Sequence, residues 1–276
     1  KAEVEKEGTV TLPVRELSKI VRELADIEVD VETSDGTKVS ISTRGSTFNL
    51  LGMDSKEYPP LPGLEESDSF TINRECLLEM LKSVSYAQSV NEERYMLKGV
   101  FFKKESTDLS LVATDGRRLA VASKELTISE NDGNCEFILP SITVNELEKL
   151  PQIGETILLS YTDRQVQIEL NVSEQTYENQ GFRGSIKLIS KVVEGKYPNF
   201  KQVIPKDNFK SAMVERELML ECVSRASLIA DERITLRIKN KEMEITGQSI
   251  LGDACENMPI DYEGEEATVS FNPKFI

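Results

Sequence analysis

Val112-Ala113-Thr114-Asp115-Gly116-Arg117-Arg118-Leu119-Ala120-Val121 reads as two apolar strands meeting at a polar turn. Asp115-Gly116 stands between the alternating runs Leu109-Ser110-Leu111-Val112-Ala113 and Leu119-Ala120-Val121-Ala122, the strongest short-range signal for a β-hairpin. Turn chemistry explains both central residues, since glycine tolerates positive φ and an aspartate side chain bonds the nearby backbone. It does not explain Arg117-Arg118, because adjacent cations repel unless a neighbouring group uses them. Read with a second segment, Glu194-Gly195-Lys196-Tyr197-Pro198-Asn199-Phe200, the turn points to a binding protein rather than an enzyme.

Further turns follow the same chemistry: Ser34-Asp35-Gly36, Asn131-Asp132-Gly133 and Asp261-Tyr262-Glu263-Gly264, each between short alternating runs. Single short amphipathic helices precede these strand clusters, which predicts an α+β fold with helices covering one face of antiparallel sheets. The order of elements repeats when residues 10 to 62 are laid beside 138 to 200. Val10-Thr11-Leu12-Pro13 matches Phe137-Ile138-Leu139-Pro140; a helix and two or three strands follow, then Tyr58-Pro59 in one copy and Tyr197-Pro198 in the other. A new strand-plus-helix unit begins after each, at Phe70-Thr71-Ile72 and Phe209-Lys210-Ser211, so duplication of a whole domain is the simplest explanation. Boundaries are expected at Pro62-Gly63 through Asp68 and at Pro205-Lys206-Asp207-Asn208. Apolar residues at helical spacing, Leu17, Ile20, Val21 and Leu24 or Leu77, Leu78, Leu81 and Val84, predict one buried face per helix.

The composition narrows the chemistry. With 276 residues, 39% hydrophobic and 29% charged, the chain has the balance of a soluble globular protein of two or more domains. No run approaches the roughly 18 apolar residues of a membrane span, and no signal peptide is evident, so a cytoplasmic location is expected. Histidine is absent, which removes the commonest general base and the usual zinc ligand. Cys76, Cys135, Cys222 and Cys255 lack zinc spacing and are expected to be reduced and buried. Neither a Walker A sequence nor a dinucleotide-binding glycine pattern occurs, and no cofactor is expected. A net charge of −15 argues against nucleic acid unless cations gather on one surface. Arg15, Lys19 and Arg22 do form one stripe on the first helix, a reading that competes with an ordinary solvated face diluted by Glu16 and Glu23. Arg74, Lys82, Lys149, Arg216 and Arg225 on later helices are thinner candidates for facing phosphates.

Three motifs together, Ala113-Thr114-Asp115-Gly116-Arg117-Arg118-Leu119-Ala120, Glu194-Gly195-Lys196-Tyr197-Pro198 and Arg94-Tyr95-Met96-Leu97-Lys98-Gly99, closely resemble the bacterial sliding clamps, the β subunits of the replicative DNA polymerase III holoenzyme. The resemblance spans essentially the whole sequence. It implies repeated clamp domains: residues 1–65 as the C-terminal half of the first, 66–205 as a complete second, and 206–276 as the N-terminal part of the third, the sequence being truncated at both ends. It implies a head-to-tail homodimeric ring that encircles double-stranded DNA without sequence specificity. It further implies DNA replication as the process, with any polymerase activity belonging to the holoenzyme.

What the family's sites imply can be carried onto this sequence residue by residue. A pocket for short peptides of the polymerase, clamp loader and repair proteins would be walled by Leu97, Thr114, Gly116, Arg117, Arg118, Leu119, Pro198, Gln202 and Val203. DNA would meet Arg15, Lys19, Arg22, Asn91, Arg94, Tyr95 and Met96, although Tyr95 could equally be a packed strand residue. Phe48 and Leu50 of one protomer would meet Leu228 and Ile229 of its partner, where plain core packing is the competing reading. The family often has histidine in place of Arg117, a basic residue in place of Gln202 and a second aromatic in place of Met96, so the rim's charge pattern and motif preference differ here. Two other classes stay open: a carboxylate- and metal-dependent phosphotransfer enzyme with Asp115 as first suspect, and a β-rich scaffold protein.

Overall fold

The computed structural model describes residues 3–24, 28–33, 37–60, 62–64, 67–126, 133–150, 154–171, 185–206 and 210–276. The turn Ser34-Asp35-Gly36, Asn131-Asp132, and the boundary residues Asp207-Asn208 with Phe209 lie outside them. In chain order, helix α1 (Val14–Glu23) precedes strands β1 (Asp30–Thr33), β2 (Lys38–Ser42) and β3 (Thr47–Leu51), which pair as β1-β2-β3. The middle of the chain runs β4 (Asp68–Asn73), α2 (Arg74–Val84), β5 (Gly99–Glu105), β6 (Asp108–Thr114), β7 (Leu119–Glu125), β8 (Cys135–Pro140), α3 (Ser141–Glu148), β9 (Thr156–Tyr161), β10 (Gln165–Asn171) and β11 (Ser185–Lys191). It forms two sheets, β11-β10-β9-β4 and β7-β6-β5-β8. Helix α4 (Arg216–Ser227) then precedes β12 (Ile234–Lys239), β13 (Glu242–Ser249), β14 (Gly252–Pro259) and β15 (Ala267–Phe271), ordered β14-β13-β12-β15. The pairings are antiparallel, so the architecture is α+β, short helices on antiparallel sheets.

The repeat read from the sequence has a physical counterpart. Thr11, before α1, exchanges backbone hydrogen bonds with Met53 after β3 at 3.2 and 3.0 Å. Ile138, before α3, accepts at 2.9 Å from Val193 after β11. In both copies the strand entering the helix is tied to the segment leaving the third strand, just ahead of the tyrosine-proline pair.

Helix α2 behaves as its spacing predicts: Leu77, Met80, Leu81 and Val84 are buried, Leu78 is half-buried, and the Asn73 side chain accepts from Cys76 N at 3.1 Å to cap the first turn. Helix α1 departs from expectation. None of its residues is buried, Leu17, Ile20 and Leu24 are only half-buried, and Val21 is exposed. Among the described residues its module buries Val39 and Ile41 of β2, too little apolar surface to cover a whole helix face. The cysteines also divide: Cys135 and Cys222 are buried, Cys76 is half-buried, but Cys255 is exposed because strand alternation turns it outward on β14 while Met258 points in.

The sheet β7-β6-β5-β8 positions the site because it is covered on both faces. Val100 and Phe102 of β5, Leu109, Leu111 and Ala113 of β6, and Phe137 and Leu139 of β8 face the main core under α2. Phe101, Val112 and Ile138, one residue out of step on the same strands, face a second and smaller apolar cluster. An antiparallel sheet with one wet face would carry polar residues at those three positions. Among the described residues no helix is long and apolar enough to cross a membrane.

Candidate functional site

The turn joining β6 to β7 is a four-residue connection, Asp115 to Arg118, closed by the pair Thr114 and Leu119. Thr114 Oγ1 accepts from Gly116 N at 3.0 Å and donates to Arg118 O at 2.6 Å. Asp115 Oδ1 accepts from the backbone N–H groups of Arg117 and Arg118 at 2.9 and 3.0 Å, and Oδ2 accepts from Arg118 Nε at 3.2 Å. Gly116 has φ +84°, a conformation that side-chain-bearing residues resist. Burial would raise the Asp115 carboxyl, but the two backbone donors and the charge of Arg118 outweigh it and hold the group below its ordinary range. Asp115 is thereby fully used in shaping the turn.

The same contacts resolve the adjacent cations. Arg117 is exposed with its N–H on Asp115, whereas Arg118 is drawn into a bracket of defined partners. Its Nη2 donates to Tyr86 O at 2.7 Å, and the guanidinium sits 5.3 Å from the Tyr86 ring centroid and 4.9 Å from that of Phe275. Tyr86 lies just after α2 and Phe275 just after β15, so Arg118 ties the middle of the chain to its last module. Local sequence reading missed both rings, because neither is near the turn in sequence.

Beside the turn lies the small apolar cluster. Leu97, Phe101, Val112, Ile138 and Tyr197 form it, with Leu119, Val193 and Phe200 packed against them. Tyr197 stacks on Phe101 with centroids 4.7 Å apart and planes 3° apart, and Phe200 meets Phe101 edge-on at 6.5 Å. Burial pushes the Tyr197 phenol up to about 12. Pro198, Gln202 and Val203 stand exposed beyond this floor, Gln202 and Val203 at the end of a 3-10 turn begun by Phe200. The uninterrupted apolar runs Val100-Phe101-Phe102, Leu111-Val112-Ala113 and Phe137-Ile138-Leu139 were the available sequence signal that this second face is covered.

The segment Asn91 to Leu97 lies against the site, bonded to its turn through Arg94 and contributing Leu97 to its apolar cluster. Asn91 accepts from Glu93 N at 3.0 Å, and the backbone kinks at Arg94, with φ −106° and ψ 52°. Arg94 Nη1 donates to Asp115 O at 3.0 Å. Tyr95 is 57% exposed on a 3-10 turn, which corrects the alternative that it is a packed strand residue. A Cβ placed on Gly195, whose φ is +120°, would lie 2.8 Å from Met96 Sδ.

Elsewhere, Arg15, Lys19 and Arg22 are exposed on α1. Among the thinner candidates, Arg74 is corrected: it is buried where α2 begins, with Nε and Nη1 lacking partners, and presents no cationic surface. Arg225 is held by Glu256 at 3.0 and 2.9 Å, Lys149 by Glu146 at 2.8 Å and Arg216 by Glu217. Phe48 and Leu50 are half-buried on β3, an edge strand, cross-strand from Ile41 and Val39. Leu228, after α4, is 81% exposed and Ile229 partly so. The structure does not bring these two pairs together as one packed core. No group of three or more Cys, Asp or Glu residues is arranged to hold a metal among the described residues.

Comparison with known proteins agrees over the whole chain. The family models for the DNA polymerase III β subunit match residues 1–62 (N-terminal domain), 71–199 (central domain) and 201–276 (C-terminal domain). The beta sliding clamp of Halalkalibacterium halodurans is 31% identical over 285 residues, covering 99% of this chain and 71% of that protein. Among solved structures, the DNA polymerase sliding clamp of Bacillus subtilis superposes with a TM-score of 0.85 at 30% identity, covering 99% of this chain and 72% of that one. A sliding clamp from Bartonella birtlesii bound to griselimycin gives 0.87 at 27% identity, with 99% and 72% covered.

Proposed function

The chain belongs to the bacterial DNA polymerase III β-subunit family, the sliding clamps, and from that premise we propose that the Asp115–Arg118 turn and the Tyr197-Pro198 segment frame the site where partner peptides dock. The protein is a non-catalytic processivity factor. It encircles duplex DNA as a homodimeric ring and tethers polymerase, clamp loader and repair proteins. Processivity comes from topology, since a closed ring cannot leave sideways however weak each contact is.

One observation carries the site assignment: Leu97, Leu119 and Tyr197 converge on a single apolar floor directly beside the bracketed Arg118. Leu97, Leu119, Pro198 and Val203 offer apolar contacts to an extended peptide, while Thr114, Gly116, Arg117, Arg118 and Gln202 offer polar ones. Arg118 commits its Nε to Asp115 and one Nη2 hydrogen to Tyr86, which leaves the remaining guanidinium hydrogens for peptide carbonyls or carboxylates.

For DNA, Arg15, Lys19 and Arg22 with Asn91, Arg94, Tyr95 and Met96 are the proposed contacts. Exposed cations touching phosphates bind without reading bases, and such contacts permit sliding. Phe48 and Leu50 of one protomer against Leu228 and Ile229 of its partner are the proposed ring closure. Residues 1–65, 66–205 and 206–276 are the proposed domain spans, and the cytoplasm the proposed location.

Titration of a labelled clamp-binding peptide from the replicative polymerase tests the pocket. Arg118→Ala and Leu119→Asp should each weaken binding about tenfold or more, roughly 1.4 kcal/mol. Unchanged affinity in both would remove these residues from the site.

A further inference from the structure

The loop from Asn91 to Leu97 meets the proposed peptide site at its turn, at the head of its Tyr197 segment and at its apolar floor. Arg94 Nη1 is hydrogen-bonded to the Asp115 carbonyl at the tip of the pocket's turn. A Cβ on Gly116 would press on that same Nη1, the flexible end of an exposed side chain, while the positive φ is what calls for glycine there. Met96 lies against Gly195, at the head of the segment that delivers Tyr197 to the floor, and Leu97 is itself part of the floor. The backbone kink falls on Arg94, which separates a first turn capped by Asn91 from a second turn carrying Tyr95. Arg94 and Tyr95 remain exposed.

We propose that Arg94 is a positioning residue for the peptide site, and that through it duplex DNA and partner peptide bind with positive cooperativity. The proposal rests on the assignment above of Arg94 and Tyr95 to the DNA face. A guanidinium presents five donors in a rigid planar fork, so one edge can hold the Asp115 carbonyl while the other meets a phosphate. Arg94 is exposed, so in free protein water competes for its donors and the bond to the Asp115 carbonyl is weakly held. A phosphate on the other edge of the guanidinium removes its rotamer freedom in advance, so this further tie on the turn that orients Arg118 is already fixed when the peptide arrives. By linkage the peptide must tighten duplex binding by the same factor.

Peptide affinity should be measured by fluorescence anisotropy at low salt, with and without a saturating short duplex, for wild type, Arg94→Lys and Arg94→Ala. Lysine keeps the charge for phosphate but loses the two-edged fork. In wild type the duplex should tighten the peptide on the order of fivefold, the lower end of typical coupling, and the peptide should tighten the duplex equally. Both variants should still bind each ligand, Arg94→Ala the duplex more weakly because one proposed phosphate contact is gone and so at a higher saturating concentration, and in both the coupling should be lost. A merely structural role for Arg94 would move the unfolding midpoint and leave the coupling factor alone. Peptide and duplex each binding wild type without affecting one another, or coupling that survives in Arg94→Ala, overturns the proposal while the site assignments stand. Failure of wild type to bind either ligand overturns both.

Discussion

Replacing Asp115 by alanine removes three hydrogen bonds at once: two from Oδ1 to the N–H groups of Arg117 and Arg118, and one from Oδ2 to Arg118 Nε. The Oδ1 pair acts as a cap does at a helix start, and losing it should cost about 1 kcal/mol. The ion pair with Arg118 is partly screened, with side chains 28% and 17% exposed, and adds about 0.5 kcal/mol on the scale of measured surface pairs. A total near 1.5 kcal/mol falls on the turn rather than the core, because Thr114, Gly116 and the β6–β7 ladder remain. Arg118 keeps the Tyr86 carbonyl and its two flanking rings but loses the anchor that sets its azimuth. Peptide affinity should therefore drop about tenfold, equivalent to ~1.4 kcal/mol. Asp115→Asn retains an oxygen acceptor for both N–H groups while losing the charge, so it should weaken binding by only about threefold. Peptide titration beside urea unfolding of both variants measures this. Asp115→Ala binding within twofold of wild type would refute the turn's role. Loss of a metal-dependent cleavage activity with binding intact would instead revive the phosphotransfer reading.

Three further perturbations have defined outcomes. Because Asp115 titrates below its unfolded value, its stabilisation is complete above the unfolded carboxylate value, about pH 4, and is lost as pH falls through the folded value. The stability gap between wild type and Asp115→Asn should therefore be flat from pH 7 to about 4 and shrink below it; a gap already shrinking at pH 6 contradicts this assignment. Alanine at Arg15, Lys19 and Arg22 together should lower the slope of log duplex affinity against log salt by about 2 to 3, at about 0.9 per phosphate contact, and an unchanged slope places the stripe away from DNA. Leu228→Asp should weaken self-association by about 2 kcal/mol or more, the value of one buried leucine, read as a shift toward monomer in sedimentation velocity; an undisturbed dimer would remove Leu228 from the interface.

Local rules made the hairpin legible: Asp115-Gly116 and its flanking alternation needed only neighbours in sequence, and the pairing of Thr114 with Leu119 follows from them. The repeat was legible because a helix, three strands and a tyrosine-proline pair recur in fixed order. Spacing could not tell Arg74 from Lys82. Both sit on α2, but burial is decided by what packs over the helix start, and Arg74 is enclosed there while Lys82 is exposed. Nor could it find Tyr86 and Phe275 around Arg118, or Arg94 bonded to Asp115, since each contact joins residues far apart in sequence. The doubly apolar runs in β5, β6 and β8 did carry a readable sign of the second cluster, which periodicity alone leaves ambiguous between a buried strand and a buried helix segment.

Retention on DNA of different topology tests ring formation most directly. The protein is loaded by a clamp loader onto a nicked circular duplex, and the bound fraction is followed by gel filtration before and after a restriction enzyme linearises the DNA. A clamp stays on the circle and slides off the ends once they exist. Equal retention on both forms, or equal loss from both, would contradict encirclement.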